Sequence, residues 1–313
     1  MSGPAYHLRP NKAVDRLIFL DAIQRLDRLH PLEAYTYYGF GGPYLEDFRL
    51  IYERHPDIRI VSIEQNLEVV KRQRFHRPCK TLRLENTDLR SFVTAFDPED
   101  RLGIFWLDYT NLSYSNFQEF SALITKLVPD SLVKVTFRAE WRDFAKGSKA
   151  DEFRRKFGTL MPDSSINPPK SCEAFVELVQ NMLRIATERA LPAASDMTYL
   201  PLCTFYYSDG TFMFTATGLI CARSEQVAIS DKFKRWKFAS LNWSSPKRIN
   251  VPTLTTKERL HLQELLPCTK DTGRVLRQRM GYLIEPTEAE TESQMVQYEL
   301  YHRYYPYVMR AVP

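Results

Sequence analysis

The sequence predicts an α/β protein. Its core is a doubly wound, mostly parallel seven-stranded sheet ending in an antiparallel hairpin, with an N-terminal helix and a smaller, mainly helical C-terminal region. Three observations carry this. Between Tyr35 and Phe137, β-rich and helical runs alternate about five times with short connections, which argues for a parallel sheet with helices on both faces. The run Leu102–Leu107 is continuously apolar, as a strand buried on both sides must be. Two later β-rich runs, Met197–Tyr207 and Thr211–Ala222, flank Ser208-Asp209-Gly210, and an Asp-Gly turn in that setting signals a hairpin. The chain then divides into an N-terminal helical cap (1–30), an α/β domain (31–222) and a basic, mainly helical region (223–313).

Each element has its own warrant. Over residues 11–29, Leu17, Ile18, Leu20 and Ile23 form an apolar stripe between charges, so this is an amphipathic helix with Asn11 as its N-cap and Pro31 closing it. Tyr35–Tyr38 is the first strand. Gly39-Phe40-Gly41-Gly42 follows, a turn whose backbone can approach a ligand closely. Pro43 suits the first position of a helix running to Arg54, whose N-terminus would favour an anion. Ile58–Glu64 is the second strand. The helix Leu67–Phe75 carries Lys71, Arg72 and Arg74. Lys80–Asn86 is a weaker third strand leading to Asp88, and a short helix holds Phe92 and Phe96. The apolar fourth strand ends in Asp108-Tyr109-Thr110-Asn111. A helix over Ser115–Leu127 and the strand Leu132–Phe137 complete the alternation. Residues 142–169 are polar and proline-punctuated and read as an insertion or mobile segment, including Lys146-Gly147-Ser148-Lys149 and Asn167-Pro168-Pro169. A helix, Cys172–Ala190, precedes the hairpin. Farther on, Thr255-x-x-Glu258 matches a capping box opening a helix to Leu266, and another helix spans Thr287–Tyr304.

Composition narrows the class. At 313 residues, 44% hydrophobic and 26% charged, the chain is typical of a soluble globular protein. It has no run of about 18 apolar residues, so no membrane span is expected. The start, Met1-Ser2-Gly3-Pro4, lacks the pattern of a secretory signal. The five cysteines, with no Cys-x-x-Cys pair, point to reduced thiols in a cytoplasmic protein rather than to disulfides or zinc. The six histidines show no ligand spacing, and no metal site is expected. The net charge of +5 lies entirely after Ala222: residues 223–279 carry 13 Lys/Arg against 5 Asp/Glu. Its centre, Asp231–Phe238, interleaves Lys232, Lys234, Arg235 and Lys237 with aromatics. This is either a docking surface for nucleic acid or a protein partner, or a solvated face with its rings turned inward.

Ligands of open parallel sheets bind beyond the carboxyl ends of the strands. There the sequence places Gly39, Gly41 and Gly42, then Glu64, Asp88 and Asp108. This arrangement resembles the class I S-adenosylmethionine-dependent methyltransferases, and within them uncharacterised bacterial O-methyltransferase-like proteins. The resemblance covers about residues 31–222. It implies S-adenosyl-L-methionine as cofactor, with the glycine turn facing the methionine moiety, Glu64 on the ribose hydroxyls, Asp88 on the adenine amine, and Asp108 and Tyr109 as catalytic residues near the transferred methyl. A carboxylate can accept the hydrogen bonds of a diol or an amine. Tyr38 stands where that family usually has an acid. Asp108-Tyr109-Thr110-Asn111 lacks the double proline and aromatic of enzymes that methylate nucleic-acid amines, so O-methylation is favoured over N-methylation.

Two other readings stay open. A nicotinamide dinucleotide site also needs glycines and an acid here, but its third glycine would fall at Tyr44, whose side chain blocks close helix–strand packing. The other is a non-catalytic Rossmann-like protein acting with a partner through the 232–238 segment. Asp88 and Asp108 can alternatively serve as helix caps.

Overall fold

The structure, a computed structural model, describes residues 9–98, 101–144, 148–162, 169, 171–268 and 270–305. The expectations on Met1–Pro4, His7, Lys146-Gly147 and Asn167-Pro168 fall outside them. The chain divides into two compact units. The larger takes Phe19–Tyr206 and Thr211–Lys247, and the smaller takes segments within Met1–Ile18, Tyr207–Gly210 and Arg248–Pro313.

In the larger unit, β1 (Tyr35–Gly39), α2 (Glu46–Arg54), β2 (Arg59–Ile63), α3 (Leu67–His76), β3 (Arg83–Glu85), α4 (Leu89–Ala95), β4 (Leu102–Asp108), α5 (Tyr114–Ile124) and β5 (Leu132–Arg138) alternate as expected. They follow α1 (Pro10–Leu26). After β5 come α6 (Ser148–Phe157), α7 (Cys172–Ala190), and the hairpin of β6 (Met197–Ser208) and β7 (Phe212–Ala222). The strand order is β3-β2-β1-β4-β5-β7-β6. β1 to β5 are parallel, and β7 runs antiparallel beside β5. An eighth strand of three residues, β8 (Lys247–Ile249), adds to the predicted seven.

Alternation along β4 explains why both faces are covered. Trp106 meets Phe19 edge-on at 5.3 Å on one face, while Phe105 stacks on Tyr38 at 4.6 Å on the other. On the Phe105 side lies the main core, built from Leu89 and Val93 of α4, Phe117 and Phe120 of α5, and Phe175 and Val179 of α7. The opposite face takes Phe48 of α2 against Tyr37.

Three expectations need correction. Residues 148–160 are not a polar insertion: α6 buries Phe153 and Phe157, and Leu160 follows them into the same core. Its many charges hide an i, i+4 pair of aromatics. The third strand shrinks to Arg83–Glu85, since only these residues find ladder partners on β2. The helix after the glycine turn starts at Glu46 rather than Pro43. Residues 42–44 form a turn, and Leu45 takes the left-handed conformation at φ 55° before the helix begins.

The smaller unit contains α9 (Thr256–Gln263), α10 (Thr272–Met280) and α11 (Glu288–Tyr301), after α8 (Gln226–Phe233) in the larger one. The Thr255/Glu258 capping box is present. Asn11 does not cap α1, which already includes it. Its amide bonds the Ser208 carbonyl at 3.1 Å and Asp209 at 2.9 Å, and its Oδ1 accepts from the Val251 N–H at 2.9 Å. Among the described residues no helix is long and apolar enough to cross a membrane.

Candidate functional site

The strand order reverses at β1, which has β2 on one side and β4 on the other. Crevices at such a switch point are where open α/β sheets bind ligands. Gly39 ends β1 in register with Ser62 of β2 and Trp106 of β4, so the glycine turn leaves the sheet at that point.

The glycines are needed for different reasons. At Gly41 a Cβ would lie 2.9 Å from both Phe48 Cε2 and Ser62 Oγ, and closer still to the Leu45 side chain. At Gly42 there is open space, but φ is +50°, a conformation that penalises other residues. The Gly41 carbonyl accepts from the Leu45 N–H at 3.0 Å and closes the turn. The first turn of α2 carries Glu46 and Asp47, so the positive end of that helix already has its own anions. The expected anion above Pro43 therefore loses its main attraction.

Glu64 follows the last residue of β2. One carboxylate oxygen accepts from the Asn66 N–H at 2.8 Å, and Asn66 in turn caps α3 by accepting from the N–H groups of Glu68 and Val69. Asp88 caps α4. Its two oxygens take the N–H and hydroxyl of Ser91, at 2.9 and 2.7 Å, and these bonds hold its carboxyl below the usual aspartate range. Asp108 ends β4, half-buried, in register with Thr136.

Tyr109, next to Asp108, is buried. Its ring stacks on Phe137 at 5.6 Å and meets Phe40 of the glycine turn edge-on at 6.1 Å. Its hydroxyl turns into the protein and donates to Glu119 at 3.1 Å. Burial first, then the Glu119 charge, push the phenol well above its ordinary pKa, so it stays a neutral donor.

Three residues escaped the sequence reading. Gln73, fully buried on α3, donates to the Gly42 carbonyl at 2.9 Å and accepts from Ser62 Oγ at 3.1 Å. Its signal was a polar residue three positions after the buried Val70, on the inward face. Asn86 donates to the carbonyls of Glu64 and Gln65 at 2.9 and 3.1 Å, tying the ends of β2 and β3 together. Glu119 on α5 is the third. Burial pushes its carboxyl up, the Tyr109 bond opposes this, and Asp88 adds a smaller upward push. Nothing local in the sequence marks Asn86 or Glu119.

The basic segment resolves toward its inward-facing form. Phe233, Trp236 and Phe238 are buried, and Trp236 Nε1 donates to Asp21 at 2.7 Å. No ring there is open to stack on a base. Lys232 reaches the Arg28 carbonyl at 3.3 Å, and Lys234 pairs with Asp231 at 2.8 Å, while Arg235 and Lys237 lie exposed on the same segment. Among the described residues no group of His, Cys, Asp and Glu could hold a metal ion.

Several solved structures resemble the chain. Trm1 from Pyrococcus horikoshii, in complex with S-adenosyl-L-methionine, aligns at 11% identity and a TM-score of 0.46 over 67% of this chain, which spans 55% of the Trm1 chain. An O-methyltransferase family protein from Burkholderia thailandensis aligns at 9% identity and a TM-score of 0.36, over 66% of this chain and 57% of that one. The N-methyltransferase NodS from Bradyrhizobium japonicum, with S-adenosyl-L-homocysteine, aligns at 12% identity and a TM-score of 0.35, over 64% and 86%. No curated protein matches the sequence. One family matches nearly end to end, over residues 4–312, and by that match the chain belongs to the methyltransferase family described as "Putative O-methyltransferase".

Proposed function

We propose that this protein binds S-adenosylmethionine at the carboxyl ends of β1, β2 and β4 and methylates an oxygen nucleophile. The observation that carries the reading is the glycine turn at the switch point with Glu64 on the adjoining strand. The residues suit the cofactor. Gly41 and Gly42 leave the turn without side chains, as a ligand lying against backbone requires. Glu64 is held by Asn66 through one oxygen and can offer the other to a diol. The bound cofactor would supply a methyl on a sulfonium, an electrophile needing no metal or redox partner.

The chain's own part is positioning. Glu64 fixes the nucleoside end, and Asp108 lines the centre beside β4. Tyr109 forms a wall there as a neutral ring. Asp88 keeps a lone pair on each oxygen beyond its cap and can still meet an amine. Oxygen is favoured as acceptor because the family is described by O-methyl transfer and because Asp108-Tyr109-Thr110-Asn111 lacks the amine-methylating motif.

Calorimetry with S-adenosylhomocysteine tests the cofactor claim. Wild type should bind, and Glu64→Ala should weaken binding at least about tenfold, the scale of losing a charge-assisted hydrogen-bond acceptor. Affinity unchanged from wild type in both Glu64→Ala and Gly41→Asp would sink the assignment. Methyl transfer to oxygen is read from the linkage in the product by mass spectrometry.

A further inference from the structure

A groove of about 740 Å³ runs along the Tyr38 face of the sheet at its β3 edge. That volume suits a small-molecule ligand. None of Gly39, Gly41, Gly42, Glu64, Asp88 or Asp108 lines it. Its walls come from β1, β2, β3, α4 and the segment leading into β4.

Strand register assembles it. Thr36 sits beside Arg59, and Val61 sits beside both Tyr38 and Arg83, so these alternate residues share one face. Arg101, just before β4, adds a third guanidinium. The Tyr38 hydroxyl bonds Thr36 and lies within the field of Arg101, Arg83 and Arg59. The other wall is Phe92 of α4 and Phe96 just after it, partly buried rings that pack on Tyr38 and on each other and keep part of their surface toward the groove.

The charges do not cancel. Glu85 and Asp97 also line the groove, against three arginines. Glu85 takes Nε and Nη2 of Arg83 at 2.8 and 2.6 Å. Arg83 nevertheless keeps 76% of its side chain exposed and has further N–H donors for a second acceptor. Arg59 is exposed at the start of β2. Guanidinia favour phosphate through paired hydrogen bonds, and part-exposed aromatic rings favour a flat base.

We propose that this groove is a second ligand site, taking a nucleotide with its phosphate on Arg59 and Arg83 and its base against Phe92 and Phe96. The residue that departs from the methyltransferase pattern, Tyr38, thereby belongs to this site and not to the cofactor turn. The proposal shares no residue with the cofactor reading and can fail independently of it.

Calorimetric titration of the full chain with AMP, adenosine, UMP and a short oligouridylate tests it. AMP should bind, and adenosine, lacking the phosphate, should bind at least about tenfold more weakly. The Arg59→Ala/Arg83→Ala variant removes exposed side chains and should fold normally. It should lose AMP affinity by a similar factor and keep its affinity for S-adenosylhomocysteine. Tyr38→Phe, which retains the ring packing, provides a second variant and should weaken AMP more modestly. Binding of the oligonucleotide well above UMP, lost in the same arginine variant, assigns the source as a polymer. Equal affinity assigns a free nucleotide. Absence of AMP binding to wild type, AMP binding untouched by the arginine variant, or displacement of AMP by S-adenosylhomocysteine would overturn the proposal.

Discussion

Gln73→Leu is the sharpest probe of how the glycine turn is held. The substitution keeps the volume of a fully buried side chain but deletes two hydrogen bonds, to the Gly42 carbonyl at 2.9 Å and from Ser62 Oγ at 3.1 Å. Each such bond contributes about 0.5–1.5 kcal/mol net, so the loss should be about 1–3 kcal/mol. It should lie toward the upper end, because Ser62 is fully buried and its hydroxyl would be left without this acceptor. The bond to Gly42 also sets the conformation of the turn. If about 1 kcal/mol of preference is lost there, the competent fraction falls, and S-adenosylhomocysteine affinity drops by up to about fivefold. Urea unfolding reads the first quantity and calorimetry the second. A double-mutant cycle with Ser62→Ala should return a coupling of about 0.5–1.5 kcal/mol. Unchanged unfolding in Gln73→Leu would refute the buried bonds. A large loss of stability with intact ligand affinity would refute the link from Gln73 to the binding turn.

Other outcomes follow from the same geometry. Gly41→Ala forces a methyl into Leu45, Phe48 and Ser62 and should destabilise by about 1–3 kcal/mol through overpacking. Gly42→Ala meets no atom and should show only the left-handed backbone cost, roughly 1–2 kcal/mol; thermal unfolding with no shift at either glycine would contradict this. Asn66→Ala removes the cap of α3 and should cost about 1 kcal/mol in urea, whereas Asn66→Asp should retain most of it. For Glu119 the folded-state pKa is raised, chiefly by burial, so the native state binds more protons than the unfolded chain just above the ordinary glutamate pKa. Its contribution is thus most favourable at low pH and is lost as pH rises through the raised value. Wild type should lose stability relative to Glu119→Gln across that window and run parallel to it above; a difference constant with pH would exclude the effect.

Much of the large unit was legible because its signals are local and periodic. The apolar run of β4, the Asp-Gly hairpin and the Thr255/Glu258 box each encode their structure within a few residues. α6 is not legible in the sequence, because two inward phenylalanines among charges acquire meaning only once Phe175 is there to receive them. The N-terminus of α2 is not legible in the sequence, because Leu45 adopts a left-handed backbone that its own preference opposes, and its full burial compensates.

The same division runs through the site. The sequence by itself determined which groups stand at the strand ends, since strand period and turn chemistry position Gly39–Gly42, Glu64, Asp88 and Asp108 without reference to distant residues. Only the tertiary structure decided what those groups are free to do. It turned the Tyr109 hydroxyl into Glu119, engaged Asp88 with Ser91, buried the aromatics of the basic segment, and set Tyr38 among three arginines from other elements. Hydrogen bonding and burial depend on partners far apart in the chain, so a residue's type is local information while its availability is not.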